Sequence, residues 1–75
     1  MKELLEFILE NILKDKDFSI ETTEDADKTT FIIKVPETKA GLVIGKGGRT
    51  IKAIRNLLKV KATLEKKLVF LSLTN

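Results

Sequence analysis

Residues 42–51 read LVIGKGGRTI, an apolar run that breaks at three closely spaced glycines and continues directly into a second amphipathic segment. Glycine adopts the positive φ angles of tight turns and allows another backbone to approach closely. The pattern therefore predicts a helix, a glycine turn at 45–48 and a second helix. The N-terminus of that second helix would direct unpaired N–H groups and the positive end of its dipole toward the turn, so we expect an anion to bind there.

Before the glycine turn, the chain shows one helical pattern, two strand patterns and a short second helix. Apolar residues at helical spacing, with acidic residues on the other side, predict the first helix. Alternating and β-branched residues predict two strands joined by a polar turn, which favours an antiparallel hairpin that stops at Pro36. Thr38 is in the position to cap the short helix. The predicted ranges are helix 2–15, strands 18–23 and 29–35, and helix 39–44.

After the glycine turn, apolar residues at 51, 54, 57 and 58 form the packing stripe of a helix, and basic residues fill its other positions. Residues 60–64 fit either a continuation of this helix or an extended segment. An apolar strand over 67–73 follows. Because two helices separate this strand from the preceding one, we expect the two strands to pair in parallel.

The residue types that are absent limit the classes of function. The chain of 75 residues contains no cysteine and no histidine. Zinc sites, thiol nucleophiles and histidine acid–base catalysis are thereby excluded, and we expect no metal ion, no cofactor and no enzymatic activity. The N-terminal segment interleaves acidic with apolar residues, which is unlike a signal peptide or a membrane span, so we expect a cytoplasmic protein without a membrane partner.

Charge divides the chain just before the glycine turn. Residues 1–37 contain ten acidic residues and five lysines, a balance of −5, whereas residues 38–75 contain nine basic residues and one acidic residue, a balance of +8. A basic half of this kind is typical of proteins that bind a polyanion. Surface lysines also keep small proteins soluble, so charge alone does not identify the ligand.

The string VIGKGGRTI at 43–51 resembles the V-I-G-x-x-G-x-x-I core of the KH (K-homology) nucleic-acid-binding domain, with 45–48 as its GXXG loop. The predicted order of elements is similar to the type II arrangement, so the resemblance covers essentially the whole chain. It implies an α+β fold, a single type II KH domain over 1–75 with the order α-β-β-α-α-β, in which three helices pack on one side of a three-stranded sheet. The small size resembles the stand-alone bacterial KH proteins that bind RNA.

The resemblance also implies how the site works: the loop clamps about four single-stranded nucleotides, and an aliphatic groove beside it receives the bases. Lys46 would place its ammonium beside a phosphate, and the amides of Gly47, Gly48 and Arg49 would donate to the phosphate oxygens. We expect aliphatic contacts to bases because the four phenylalanines, at 7, 18, 31 and 70, fit core positions. The implied RNA-binding residues are Val43, Ile44, Gly45, Lys46, Gly47, Gly48, Arg49, Lys52 and Arg55.

Two alternative functions fit the sequence to different degrees. A nucleotide-hydrolysing P-loop requires G-x-x-x-x-G-K-[ST], but only three residues separate Gly41 from Gly45, and Gly47 follows Lys46. A KH-shaped protein-interaction module with weak or no nucleic-acid binding stays open, because a fold does not determine a function. The choice between single-stranded RNA and single-stranded DNA is open as well. Among protein partners, the resemblance implies a homodimer or a larger KH-containing protein.

Overall fold

The computed structural model describes residues 1–74, which form three α-helices and one three-stranded sheet in the predicted order. The α+β fold and the α-β-β-α-α-β order are confirmed. Among these residues no helix is long and apolar enough to cross a membrane. The elements are α1 (Lys2–Leu13), β1 (Ser19–Glu24), β2 (Lys28–Lys34), α2 (Glu37–Ile44), α3 (Arg49–Leu64) and β3 (Leu68–Thr74), with a short 3₁₀ turn (Lys46–Gly48) between α2 and α3.

Strand β2 lies at the centre of the sheet. It pairs antiparallel with β1, where Ile20 is opposite Ile33, and in parallel with β3, where Phe31 is opposite Leu71. The predicted parallel pairing is therefore confirmed. Alternate β2 residues, including Phe31 and Ile33, are buried against the helices. The helices thus cover one side of the sheet, as expected.

The core stripe of each long helix follows the four-residue spacing of one helical face. Helix α1 buries Leu5, Leu9 and Leu13, and α3 buries a matching set of Ile54, Leu58 and Ala62. Burial of Ala62 shows why α3 continues to Leu64 rather than changing to an extended segment: the core face of the helix extends one further turn. Residues 60–64, for which the sequence allowed either a helix or an extended segment, are therefore helical.

The cap of α2 and the burial of two phenylalanines differ from the sequence interpretation. Thr38 does not cap α2, because the helix begins at Glu37 and the carbonyl of Pro36 already accepts hydrogen bonds from the amides at 39 and 40. Phe7 and Phe70 do not lie in the core; they are 65% and 50% exposed. Phe7 lies on the outer side of α1, and Phe70 alternates with buried residues on the edge strand β3.

An ion-pair network holds the beginning of α2 in place. The ammonium of Lys39 donates to the carboxylate of Asp15 and lies 3.4 Å from an oxygen of Asp17, both in the loop that follows α1. The hydrogen bond between Lys39 and Asp15 lowers the pKa of the Asp15 carboxyl and raises the pKa of the Lys39 ammonium, because it favours the charged form of each. The network therefore ties α2, which leads into the glycine turn, to the loop after α1.

Candidate nucleic-acid interface

The loop between α2 and α3 contains three glycines with positive φ. The angles are 76° at Gly45, 64° at Gly47 and 78° at Gly48. Gly47 and Gly48 lie in the left-handed helical region, which costs a residue with a side chain about 1–2 kcal/mol. Gly45, with ψ at 172°, lies in an extended region of positive φ that essentially only glycine occupies. The predicted glycine turn is present, and the backbone of the loop explains why glycine occupies these positions.

Gly45 and Gly47 serve different purposes. A Cβ atom added at Gly45 would lie 2.7 Å from the Cβ of Thr50 and 2.9 Å from its backbone nitrogen, so close packing against the first turn of α3 excludes a side chain there. Apart from the adjacent residues in the chain, a Cβ atom added at Gly47 or Gly48 would meet no atom of residues 1–74 within 4 Å. The space above these two glycines is open to solvent, and another molecule's backbone can approach the loop at this point.

Two of the three amides that the sequence assigned to a phosphate already have acceptors within the loop. The Gly48 amide donates to the Gly45 carbonyl at 3.1 Å, and the Arg49 amide donates to the Lys46 carbonyl. Among the loop and cap hydrogen bonds of residues 1–74, none has the Gly47 amide as its donor. No side chain caps the N-terminus of α3. The amides that can donate to an anion are therefore that of Gly47 and those of the first turn of α3 after Arg49.

Basic side chains without an acidic partner surround the loop and continue along α3. Lys46 and Arg49 are exposed at the loop itself. Three further residues, Lys52, Arg55 and Lys59, follow at spacings of three and four and so lie on one side of the helix; we call them the basic row. Within the described part of the chain none of these five cations forms an ion pair, whereas Lys2, Lys16, Lys34, Lys39 and Lys67 all do.

The apolar residues before the loop divide between core and surface. Val43 is fully buried, and its side chain packs in the core rather than at the surface where the sequence analysis expected base contacts. Ile44 is 40% exposed. Gly41 is exposed and has open space around it, one turn before Ile44. The sequence already pointed to a special role for Gly41. Glycine inside a helix costs about 1 kcal/mol of stability relative to alanine, so its presence there usually reflects a packing or functional requirement.

The outer side of α3 carries an apolar stripe that the sequence pattern did not predict. Leu57, assigned to the packing stripe, is 52% exposed, and Val60 and Leu64 are still more exposed. These three residues follow at spacings of three and four on a side of the helix different from both the core stripe and the basic row. Helix α3 therefore has three distinct faces: a buried one, a basic one and an exposed apolar one.

Comparison with known proteins identifies relatives along almost the whole chain. A family described as KhpA/KhpB, KH domain, matches residues 2–73. Proteins named RNA-binding protein KhpA are similar to this chain in Thermotoga maritima (44% identical over 59 residues, 77% of this chain and 79% of the relative), Chlamydia trachomatis (36% over 73 residues, 87% and 94%) and Clostridium perfringens (37% over 70 residues, 92% and 93%). The family suggested by the glycine loop is confirmed, and the fold agrees with its type II arrangement. The chain belongs to the KhpA/KhpB family of KH-domain proteins.

Proposed function

We propose that the chain binds single-stranded RNA and that the loop at 45–48 clamps the phosphate backbone. The observation that carries the proposal is the open space above Gly47 and Gly48, next to the unpaired cations Lys46 and Arg49. A phosphate in this space accepts a hydrogen bond from the Gly47 amide, lies at the positive end of α3 and receives the charge of Lys46. The names of the relatives, RNA-binding protein KhpA, support RNA as the ligand.

From the loop, the RNA follows the basic row, where Lys52 and Arg55 neutralise further phosphates. Its bases rest on Ile44 and on the open surface at Gly41, while Val43 supports this part of α2 from the core. Aliphatic contacts with a base lack a fixed set of hydrogen bonds, so we expect weak discrimination between bases.

The salt dependence of binding tests the electrostatic part of this proposal. Neutralising two to four phosphates of a single strand gives a slope of about −1.4 to −2.8 in a plot of log K against log [salt]. We expect micromolar or weaker affinity for an unstructured RNA of ten nucleotides, measured by fluorescence anisotropy from low to physiological salt. A DNA strand of the same sequence is the control for 2′-OH recognition. A slope near zero, or nanomolar binding by the monomer at physiological salt, would contradict the proposal.

Changing Gly41 to alanine should affect stability and binding in opposite directions. The new methyl group meets no atom within 4 Å, so Gly41→Ala should stabilise the fold by about 0.5–1 kcal/mol through helix propensity. The same methyl group occupies part of the open surface beside Ile44 on which we place the bases, so RNA affinity should fall severalfold. Thermal unfolding and anisotropy measure the two effects, with Thr38→Ala on the same helix as the control. A stabilised variant with unchanged affinity would exclude Gly41 from the RNA surface.

We also propose that the chain forms homodimers through the exposed stripe of Leu57, Val60 and Leu64. Spacings of three and four residues are those of helices that pack side by side. In an antiparallel pair related by a two-fold axis, Leu57 of one copy meets Leu64 of the other, and the two Val60 side chains meet at the centre. The stripe is thus complementary to a second copy of itself. The stripe lies on a different face of α3 from the basic row, so a dimer leaves both RNA sites open. Two linked sites raise the avidity for RNA.

Sedimentation equilibrium at micromolar concentrations tests whether the chain forms this homodimer. Leu57→Glu should convert the dimer to a monomer, because it places a carboxylate in the apolar contact. Phe7→Glu, at an exposed aromatic residue on α1, should leave the dimer unchanged. A wild-type chain that stays monomeric throughout would reject the homodimer and favour a larger KH-containing protein as the occupant of the stripe.

A further inference from the structure

We infer that Lys39 is a positioning residue for RNA binding, which fixes the orientation of α2 through its ion pairs with Asp15 and Asp17; this inference rests on the proposed function. The two oxygens of the Asp15 carboxylate have separate partners: one accepts from the Lys39 ammonium, and the other accepts from the Asp17 amide at 3.0 Å. The Asp17 carboxylate lies 3.4 Å from the same ammonium. The three residues therefore form one unit that joins the loop after α1 to the first turn of α2.

Helix α2 depends on tertiary contacts for its position. It has eight residues, and helices this short are marginal without such contacts. Among residues 1–74 no side chain caps its N-terminus, and Gly41 lowers its helix propensity. Val43 is the one residue of α2 that is fully buried, so the core holds the helix mainly at this point. A second anchor at Lys39, whose side chain is only 25% exposed, limits how far α2 can turn or shift about Val43.

Helical spacing directs Lys39 away from the surface on which we place the RNA. Lys39 and Val43 are four residues apart and lie on the same side of α2, which faces the core and the loop after α1. Gly41 and Ile44, two and five residues after Lys39, lie on the other side, where we place the bases. Lys39 therefore acts on the RNA through the orientation of α2 rather than through a contact of its own.

Removing the two acidic partners separates positioning from simple attraction between charges. Asp15→Asn combined with Asp17→Asn makes the chain more positive, so charge alone would tighten the binding of a polyanion. Asparagine at 15 still offers an oxygen to the amide at 17, so the loop keeps its turn. Positioning predicts the reverse. We expect affinity for an unstructured RNA of ten nucleotides, measured by fluorescence anisotropy, to fall about threefold, because the ion pairs no longer favour the binding orientation of α2. Glu3→Gln combined with Glu21→Gln makes the same change in charge on α1 and β1 and should not weaken binding.

Substitutions of Lys39 itself distinguish positioning from a phosphate contact. Lys39→Met keeps a long side chain but removes the ammonium, and it should also lower affinity about threefold. The slope of log K against log [salt] should stay that of the wild-type chain, whereas loss of a phosphate contact would make it less steep by about 0.7. Lys39→Arg keeps the charge and can donate to both carboxylates, so it should bind within about twofold of the wild-type chain. Circular dichroism checks that each variant is folded, because a loss of stability alone leaves the affinity of the folded chain unchanged.

The remaining outcomes distinguish failure of this inference from failure of the proposed function. Asparagine variants that bind as tightly as the wild-type chain, or more tightly, would overturn the positioning role, and so would a less steep salt dependence for Lys39→Met. Either result, together with loss of binding on mutation of the glycine loop, would leave the proposed function intact. Loss of the fold in both the asparagine variant and Lys39→Met would assign the ion pairs to folding and would also overturn the positioning role. A wild-type chain that binds no RNA would overturn both proposals.

Discussion

Replacing Lys46 and Gly47 together with aspartate should abolish RNA binding while the domain stays folded. The double variant removes one ammonium, adds two carboxylates and fills the open space above the loop. Loss of two charge-assisted hydrogen bonds, at about 1.5–3 kcal/mol each, corresponds to a decrease in affinity of at least about a hundredfold. The fold should survive because no neighbouring atom meets a side chain at Gly47 and because aspartate tolerates left-handed φ angles.

Circular dichroism checks the fold of this double variant, and fluorescence anisotropy with an unstructured RNA measures its affinity. Lys61→Asp is the control, because Lys61 is an exposed lysine of α3 that lies outside the basic row and forms no ion pair among residues 1–74. It should cause only a small, salt-dependent loss. A folded double variant that binds RNA as tightly as the wild-type chain would reject the glycine loop as the phosphate clamp.

Gly45→Ala should destabilise the domain far more than Gly47→Ala, although both glycines have positive φ. At Gly45 the added methyl group overlaps Thr50 and adds a packing cost of about 1–3 kcal/mol to a backbone cost of about 1–3 kcal/mol. At Gly47 only the backbone cost applies, because the methyl group meets open space. The summed cost at Gly45, about 2–6 kcal/mol, is a large part of the total stability of a small domain.

Urea unfolding followed by circular dichroism measures both glycine variants. The matched pair separates the role of the loop in folding from its role in binding: we expect Gly45→Ala to lose stability and Gly47→Ala to lose mainly RNA affinity. Equal destabilisation by the two substitutions would mean that the packing of Gly45 against Thr50 contributes nothing to the fold.

The sequence predicted the order of the elements, the glycine turn and the parallel pairing of the last two strands. These features depend on local signals: apolar periodicity, β-branched runs, clustered glycines and the length of the crossover between strands. Such signals act within a few residues, so they are visible without knowledge of the packing. The start of α2 was predicted two residues too late. The carbonyl of Pro36 accepts the first hydrogen bonds of the helix, so α2 begins at Glu37 and Thr38 lies inside it.

Burial was harder to predict, because it depends on which neighbour the rest of the chain supplies. Leu57 and Leu58 are adjacent and equally apolar, yet only Leu58 points toward the core, and a helical step of 100° directs Leu57 away from it. The same step buries Val43 and exposes Ile44. Phe70 is apolar and lies in a strand, but β3 is an edge strand with one uncovered face. These positions decide which side chains contact a ligand, so the surface for bases and partners required the structure.

The most direct test of the phosphate clamp is an NMR titration of the ¹⁵N-labelled chain with a short unstructured RNA. We predict the largest amide shifts at residues 44–52, above all at Gly47, with smaller shifts along the basic row. The chemical shifts of the amides in α1 and in the β1–β2 hairpin, whose turn is acidic, should not change. Shifts concentrated on the hairpin or on α1, with the Gly47 amide unaffected at saturating RNA, would contradict the clamp.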